Sequence, residues 1–365
     1  MMHHVIHLRD SNFLGGPEKQ ILRYIEASVP DYRNTLALFS SDENEFAREA
    51  RRRGAEILCL PESAVDAFRA LRDFVRSESP LLICCHGYKA DVLGISAAKG
   101  TLSKTAAFQR GNTGESVKVA LYETIQRACL PFANYVVALS ATQAGKMQQN
   151  PTLRGRVRTV INSVAPSDVR IPKEQARVAL RERFSLAADC RVVVWSGRLS
   201  REKGAADFVR AAALTNTEDV EFILFGHGPE RHRVQSLIEA SGRNNITLAG
   251  FHPDFSALLQ GADLLVNTSY REQMPNVVLE SMSCGVPVIA TEVGAVAELA
   301  GAERGICLVR AGDITGTAAQ MISLLDDVNE QRRLAETARM RIDSHFSLPL
   351  QARQLRELFC EAAGE

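Results

Sequence analysis

Residues 270–291 read YREQMPNVVLESMSCGVPVIAT, and the order of elements in this stretch decides the fold. A polar loop ends at Pro275, which suits the first turn of a helix because the N–H that proline lacks has no partner there. A helix over 276–283 and a short buried strand over 286–290 follow. Short apolar strands alternating with helices indicate a parallel sheet covered on both faces. The stretch also holds two acidic residues, Glu272 in the loop and Glu280 one turn into the helix, on the same side as Asn276. The free N–H groups that open the helix, with its dipole, favour an anion such as a diphosphate. Two carboxylates flanking such a site repel phosphate but accept hydrogen bonds from sugar hydroxyls. One can hold a ribose diol and the other a hexose diol, with the diphosphate between them. A solvated loop residue and an ordinary helix-surface charge are the plain alternative.

The same alternation extends outward. In the second half, strands over 191–196, 220–225, 246–249, 263–267 and 305–309 alternate with helices over 205–215, 230–241 and 255–260. In the first half, strands over 5–8, 36–39, 56–60, 81–85 and 135–139 alternate with helices over 17–27, 43–53 and 64–76. The boundary falls in 162–172, where two prolines and several polar residues break the periodicity. Residues 99–133 fit less well: QRGNTGES (109–116) is loop-like, and VKVALYETIQRACLPFA (117–133) is an amphipathic helix whose apolar face belongs in the core. The competing reading of that helix is a surface element resting on a membrane.

The 365 residues are comfortable for two domains. Lys+Arg 43 balances Asp+Glu 43, which argues against a dedicated nucleic-acid binder. The eight cysteines form no CxxC pair, and buried free thiols suit a cytoplasmic protein. The first sixteen residues lack the pattern of a signal peptide, and no run approaches the roughly 20 apolar residues that span a bilayer. A basic helix at 48–58, REARRRGAEIL, reads as a solvated face, with anionic lipid at the inner face of the cell membrane as its other partner.

Three further motifs follow strand ends, where ligands of open α/β sheets bind. In SGRLSREKGAADFV (196–209), Arg198 and Lys203 could neutralise a diphosphate without a metal. In FILFGHGPER (222–231), Gly226 and Gly228 permit a tight turn. In LGGPEK (14–19), Gly15 and Gly16 let a phosphate approach the backbone, although they are not the full dinucleotide fingerprint.

In chain order these elements resemble the retaining glycosyltransferases of family four, which have the GT-B fold. GGPEK (15–19), SGRLSREKG (196–204), LFGHGPE (224–230), LAGF (248–251) and REQMPNVVLESMSCGVPVIATEVGAVAEL (271–299) carry the resemblance, strongest over 192–299. It implies α/β architecture with two Rossmann-like domains facing a central cleft. Residues 1–166 would bind the acceptor, 167–345 the nucleotide-sugar donor, and a C-terminal helix in 346–365 would cross back to the first domain.

The resemblance also implies roles. Glu280 binds the nucleotide ribose and Glu272 the donor sugar's hydroxyls. Arg198 and Lys203 clamp the diphosphate, helped by the backbone of Gly16, Asn276 and Val277. Phe251 contacts the nucleobase, and Glu298 closes the region. Two departures stand out: Gln273 where the family has glycine, and Arg110, in AAFQRGNTGE (106–115), where it often has a histidine facing the donor sugar. His86, in CCHGYKAD (84–91), could face the cleft instead, and Arg110 could bind an acidic acceptor or a donor hydroxyl. The implied activity is transfer of a sugar, with retention and no metal, from a nucleotide diphosphate sugar (UDP first, GDP next). The acceptor is a hydroxyl on a sugar or lipid-linked sugar, in surface glycan or polysaccharide assembly. A nucleotide-sugar 2-epimerase and a non-catalytic nucleotide-sugar sensor remain as alternatives.

Overall fold

The computed structural model describes residues 2–11, 13–29, 31–40, 42–111, 117–164, 171–217 and 219–365, without the side chains of 117–120. Residues 112–116 of the expected loop and 165–170 of the expected boundary lie outside the described residues. The chain divides into two compact units, Met1–Asn162 with Leu348–Glu365, and Ser163–Ser347.

In the first unit, strands and helices alternate as β1 (His3–Arg9), α1 (Gly16–Ser28), β2 (Tyr32–Phe39), α2 (Glu45–Arg52), β3 (Glu56–Leu60), α3 (Ala64–Glu78), β4 (Leu82–His86), α4 (Tyr88–Ala98), β5 (Lys104–Phe108), α5 (Val117–Cys129), β6 (Tyr135–Ala138), α6 (Ala141–Gln148) and β7 (Val157–Thr159). Among the described residues the strands form one parallel sheet in the order β3-β2-β1-β4-β5-β6-β7. The chain leaves β1 towards β2 and returns to β4 on its other side, so the order reverses between β1 and β4. Arg9 and His86 are register partners at that point. Strands β1, β4 and β6 are buried on both faces over most of their length, which is why their centres read as near-continuous apolar runs.

In the second unit the elements are α7 (Lys173–Phe184), β8 (Arg191–Ser196), α8 (Ala205–Leu214), β9 (Val220–Phe225), α9 (Arg231–Ser241), β10 (Ile246–Gly250), α10 (Phe255–Leu259), β11 (Leu264–Asn267), α11 (Asn276–Cys284), β12 (Val288–Thr291), α12 (Val296–Ala300), β13 (Cys307–Val309), α13 (Ile314–Asp326) and α14 (Val328–His345). Their parallel sheet runs β10-β9-β8-β11-β12-β13, with its reversal between β8 and β11. Trp195, Phe208 and Phe222 are fully buried in its core, each such ring contributing about 2–3 kcal/mol by leaving water.

After the second unit, α15 (Leu348–Ala363) is part of the first. Gln351 donates to Gln20 (2.9 Å) and to the carbonyl of Ile161 (2.6 Å). Phe359 packs edge-on against Tyr32, and Arg158 pairs with Glu361.

Several elements differ from the sequence expectation, and helices α4, α6 and α7 were not among those expected. Strands β5 and β7 were not anticipated, because Lys-Thr-Ala-Ala-Phe and Val-Arg-Thr carry little β pattern. Helix α5 is turned the other way. Leu121 is 60% exposed and Ile125 38%, while Glu123 and Gln126 are buried. The inward face is polar because Gln126 donates to the buried carboxylate of Asp91 on α4, and a buried carboxylate without such donors would be costly.

Candidate functional site

In the second unit, loops leaving β8 and β11 meet at the reversal of strand order. After β8 the chain turns through Arg198 and a 3-10 turn, Arg201–Lys203, to Gly204, whose left-handed conformation (φ 67°) starts α8. A Cβ on Gly204 would lie 2.1 Å from the carbonyl oxygen of Thr268, so only glycine lets the two loops touch. Thr268 Oγ1 accepts from the indole of Trp195 (3.1 Å) and donates to the Gly204 carbonyl (2.8 Å).

Across this contact, Lys203 Nζ lies 2.7 Å from Glu272 Oε1. Ser269 Oγ donates to the same oxygen at 2.7 Å and Asn267 Nδ2 at 3.5 Å. The Glu272 side chain is only 6% exposed, and its orientation is fixed by donors that all converge on Oε1. Among the described residues Oε2 takes no bond, which leaves it as an acceptor for a ligand hydroxyl.

Pro275 caps α11 rather than occupying its first turn, and Asn276 and Val277 open the helix. Glu280 is buried one turn further in and accepts from Ser256 on α10 at 3.4 Å. The loop carrying Glu272 is held from both sides. Tyr270 N–H bonds the Glu202 carbonyl (2.7 Å), and Ala295 N–H bonds that of Gln273 (3.2 Å). Gly226 N–H bonds the Gly250 carbonyl at 2.7 Å, which places Phe251 just past β10, 54% exposed. Arg198, Lys203, Glu272, Asn276, Val277, Glu280, Gly226 and Phe251 therefore all follow strand ends of one unit. A cavity of about 420 Å³ lies alongside, lined by Arg201, Asp207, Glu230 and Tyr270 among others; it includes none of Arg198, Lys203, Glu272 and Glu280.

The first unit builds a different cluster at its own reversal. Arg9 pairs with the buried carboxylate of Glu18 (2.8 Å) and donates to the His86 carbonyl (2.9 Å). Glu18 Oε2 also accepts the Gly15 N–H at 3.1 Å. The Gly15 amide, expected to face a phosphate beside Gly16, is thus engaged by a carboxylate of its own helix.

The ring of His86 is fully buried, with Nε2 3.2 Å from His7 Nδ1 and Nδ1 3.2 Å from Arg110 Nη2. A guanidinium only donates, so His86 Nδ1 must accept and its Nε2 must carry the hydrogen given to His7. Burial pushes the pKa of His7 down to about 4 and that of His86 well below its ordinary value. Both rings are therefore neutral near pH 7. Burial of His86 corrects its expected role: in this structure it braces Arg110 from behind and does not itself reach solvent. Arg110 also lies over the Tyr24 ring, 5.8 Å from its centroid.

Next to this cluster Asp91 is fully buried. Burial raises its carboxyl to a pKa of about 8, against the donors Gln126 and Gln109. Sequence reasoning missed His7, Tyr24, Glu18 and Asp91. The signal for His7 was a histidine inside an otherwise apolar strand; for Asp91 it was an acid on a helix with almost no polar face. Among the described residues no cluster of three or more His, Cys, Asp or Glu could hold a metal ion, and no helix is long and apolar enough to cross a membrane.

Residues 190–327 match the family described as glycosyl transferases group 1. The N-acetyl-alpha-D-glucosaminyl L-malate synthase of Bacillus anthracis is 29% identical over 192 residues, 52% of this chain and 50% of the relative. The alpha-D-kanosaminyltransferase of Streptomyces kanamyceticus is 32% identical over 193 residues, with the same coverage of 52% and 50%. The chain spans about half the length of these curated relatives. The crystal structure of Anabaena HepE in complex with UDP and glucose aligns with a TM-score of 0.86 at 20% identity, over 97% of this chain and 98% of that one. With the two parallel sheets described above, this likeness establishes the GT-B fold.

Proposed function

We propose that this protein is a retaining glycosyltransferase that uses a nucleotide diphosphate sugar, with UDP as the first nucleotide to test and GDP the next. The observation that carries the reading is Glu272: three donors fix Oε1 while Oε2 remains open, at the end of β11 and beside the start of α11. Such a carboxylate suits sugar hydroxyls. Lys203 touches it at 2.7 Å, so a sugar held there has its leaving group beside an ammonium. Glu280 takes the ribose, and Phe251 the base. The match of residues 190–327 and the UDP complex of HepE support a nucleotide-sugar donor in this unit.

As the diphosphate leaves, negative charge builds on a phosphate oxygen. Arg198, Lys203 and the N–H groups at Asn276 and Val277 stabilise it. The acceptor hydroxyl attacks the anomeric carbon on the face the diphosphate vacates and gives its proton to the departing phosphate, so the step needs no metal. The first unit receives the acceptor, a sugar or lipid-linked sugar in surface glycan assembly at the cytoplasmic side of the membrane. Calorimetric titration with UDP, GDP and ADP tests the reading, in wild type and in Glu280→Ala and Arg198→Ala. One diphosphate binding clearly tighter than the others, and weakened at least about tenfold by both changes, is the expected result. Binding untouched by both changes would remove the site from the second unit.

A further inference from the structure

Resting on the reading that the first unit receives the acceptor, we infer that Arg110 is the anchor for an anionic group on that acceptor, a carboxylate or a phosphate. Arg110 follows the C-terminal end of β5, one strand away from the reversal between β1 and β4, where ligands of open parallel sheets collect. Two other cations at or just past the strand ends of this unit have acids of their own. Arg9 uses Glu18 at 2.8 Å, and Lys89 uses Asp10 at 3.5 Å. Among the described residues no carboxylate pairs with Arg110; it touches the neutral ring of His86 and lies over the face of Tyr24. Its Nε is buried without a hydrogen-bond partner, as are the Tyr24 hydroxyl and His7 Nε2 in the same cluster. The cluster therefore carries one positive charge that nothing in it compensates.

Such a charge is costly unless something else repays it. A guanidinium that lies over an aromatic ring and is bonded to a tautomer-locked histidine is prepared for a planar, two-oxygen partner. His86 and His7 do not supply the anion; they fix where Arg110 points. The start of α1 does not compete for it, because Glu18 already occupies the Gly15 amide. Histidine at this position would offer a hydroxyl-sized contact. Arginine selects an oxyanion instead.

The test uses the full chain with ¹⁵N-labelled histidine, saturated with UDP to fill the second unit. Inorganic phosphate and malonate are titrated separately while the imidazole nitrogens are followed by NMR. Saturable movement of the His86 Nδ1 resonance is expected. Arg110→Gln should weaken the response at least about tenfold, and Arg110→Lys, which keeps the charge but not the fork, should weaken it less. A response to phosphate alone assigns a phosphorylated acceptor, and a response to malonate alone a carboxylate one. No response to either in wild type, or an equal response in Arg110→Gln, overturns the inference. UDP binding is read independently by calorimetry. Failure there with an intact His86 response breaks the donor assignment and leaves the anion site standing.

Discussion

Both units hold an ion pair where their sheets reverse strand order, Arg9–Glu18 in the first and Lys203–Glu272 in the second, and the first adds a charge held without a carboxylate among the described residues. In the second unit, Lys203 and Glu272 neutralise each other at 2.7 Å on loops that touch through glycines. In the first, Arg110 rests on the neutral ring of His86, itself backed by His7, and on an aromatic ring. The Lys203–Glu272 arrangement depends on backbone geometry. The Arg110 arrangement depends on burial, which couples it to pH. One sheet topology thus supports a charge arrangement set by close approach and another set by burial.

The largest effect that would sharpen this contrast comes from glycine. At Gly294 (φ 59°) a Cβ would lie 1.7 Å from the carbonyl oxygen of Glu272. Gly294→Ala should cost the second unit more than about 3 kcal/mol. Trp195, the one tryptophan of the chain, reports that loss in urea by its fluorescence. Gly100 in the first unit has φ 78° with open space around it, so Gly100→Ala should cost about 1 kcal/mol, read by hydrogen exchange. Equal costs at the two positions would erase the distinction.

Protonation comes next. Asp91, with a folded pKa of about 8 against an ordinary value near 4, keeps a proton that the unfolded chain releases. Its contribution is therefore lost as pH rises towards 8. His7 works the other way: with a folded pKa of about 4, it disfavours the folded state as pH falls below 6.5, and His86 adds in the same direction. Above pH 6.5 only Asp91 still titrates among these three. The first unit should lose about 2 kcal/mol between pH 6.5 and 8, and Asp91→Asn should abolish that loss. In the same variant, His7 alone should lower stability by about 3 kcal/mol from pH 6.5 to 4, and His86 should deepen that fall. Exchange rates in the first unit that stay flat with pH would contradict both statements.

The smallest effect is the Lys203–Glu272 coupling. Lys203→Met alone should cost about 2 kcal/mol by leaving a mostly buried carboxylate unpaired. The double-mutant cycle with Glu272→Gln should return about 1 kcal/mol, because Lys203 is partly solvated. Additive single changes would show that the pair is a contact without energetic weight.

The difference between the units also explains what could be read from the chain. Strands Arg191–Ser196 and Val220–Phe225 have the bounds expected, because continuous Val, Ile, Leu and Phe bounded by Gly or Asp leave little choice. Glycines and charges just past strand ends pointed to Lys203 and Glu272 because the loops are short and the backbone decides their shape. Arg110 and His86 could be singled out in the chain, but nothing local shows that they meet His7. His7 and His86 lie 79 residues apart, and their joint effect appears only when β1 and β4 pair. Helix α5 was turned the wrong way for the same reason: its inward face is chosen by Asp91 on another helix, against its own apolar stripe.

Helix α15 has a consequence in time. It completes the first unit, yet every residue of Ser163–Ser347 is synthesised before it. At about 5–20 residues per second, the ribosome needs roughly ten seconds or more to reach it. Throughout that interval the nascent first unit holds the Ile161 carbonyl and the Tyr32 ring without the Gln351 and Phe359 that later cover them. The second unit can close on itself as it emerges, whereas the first must wait with an open seam, and the order in which the chain matures is the reverse of the order in which it begins.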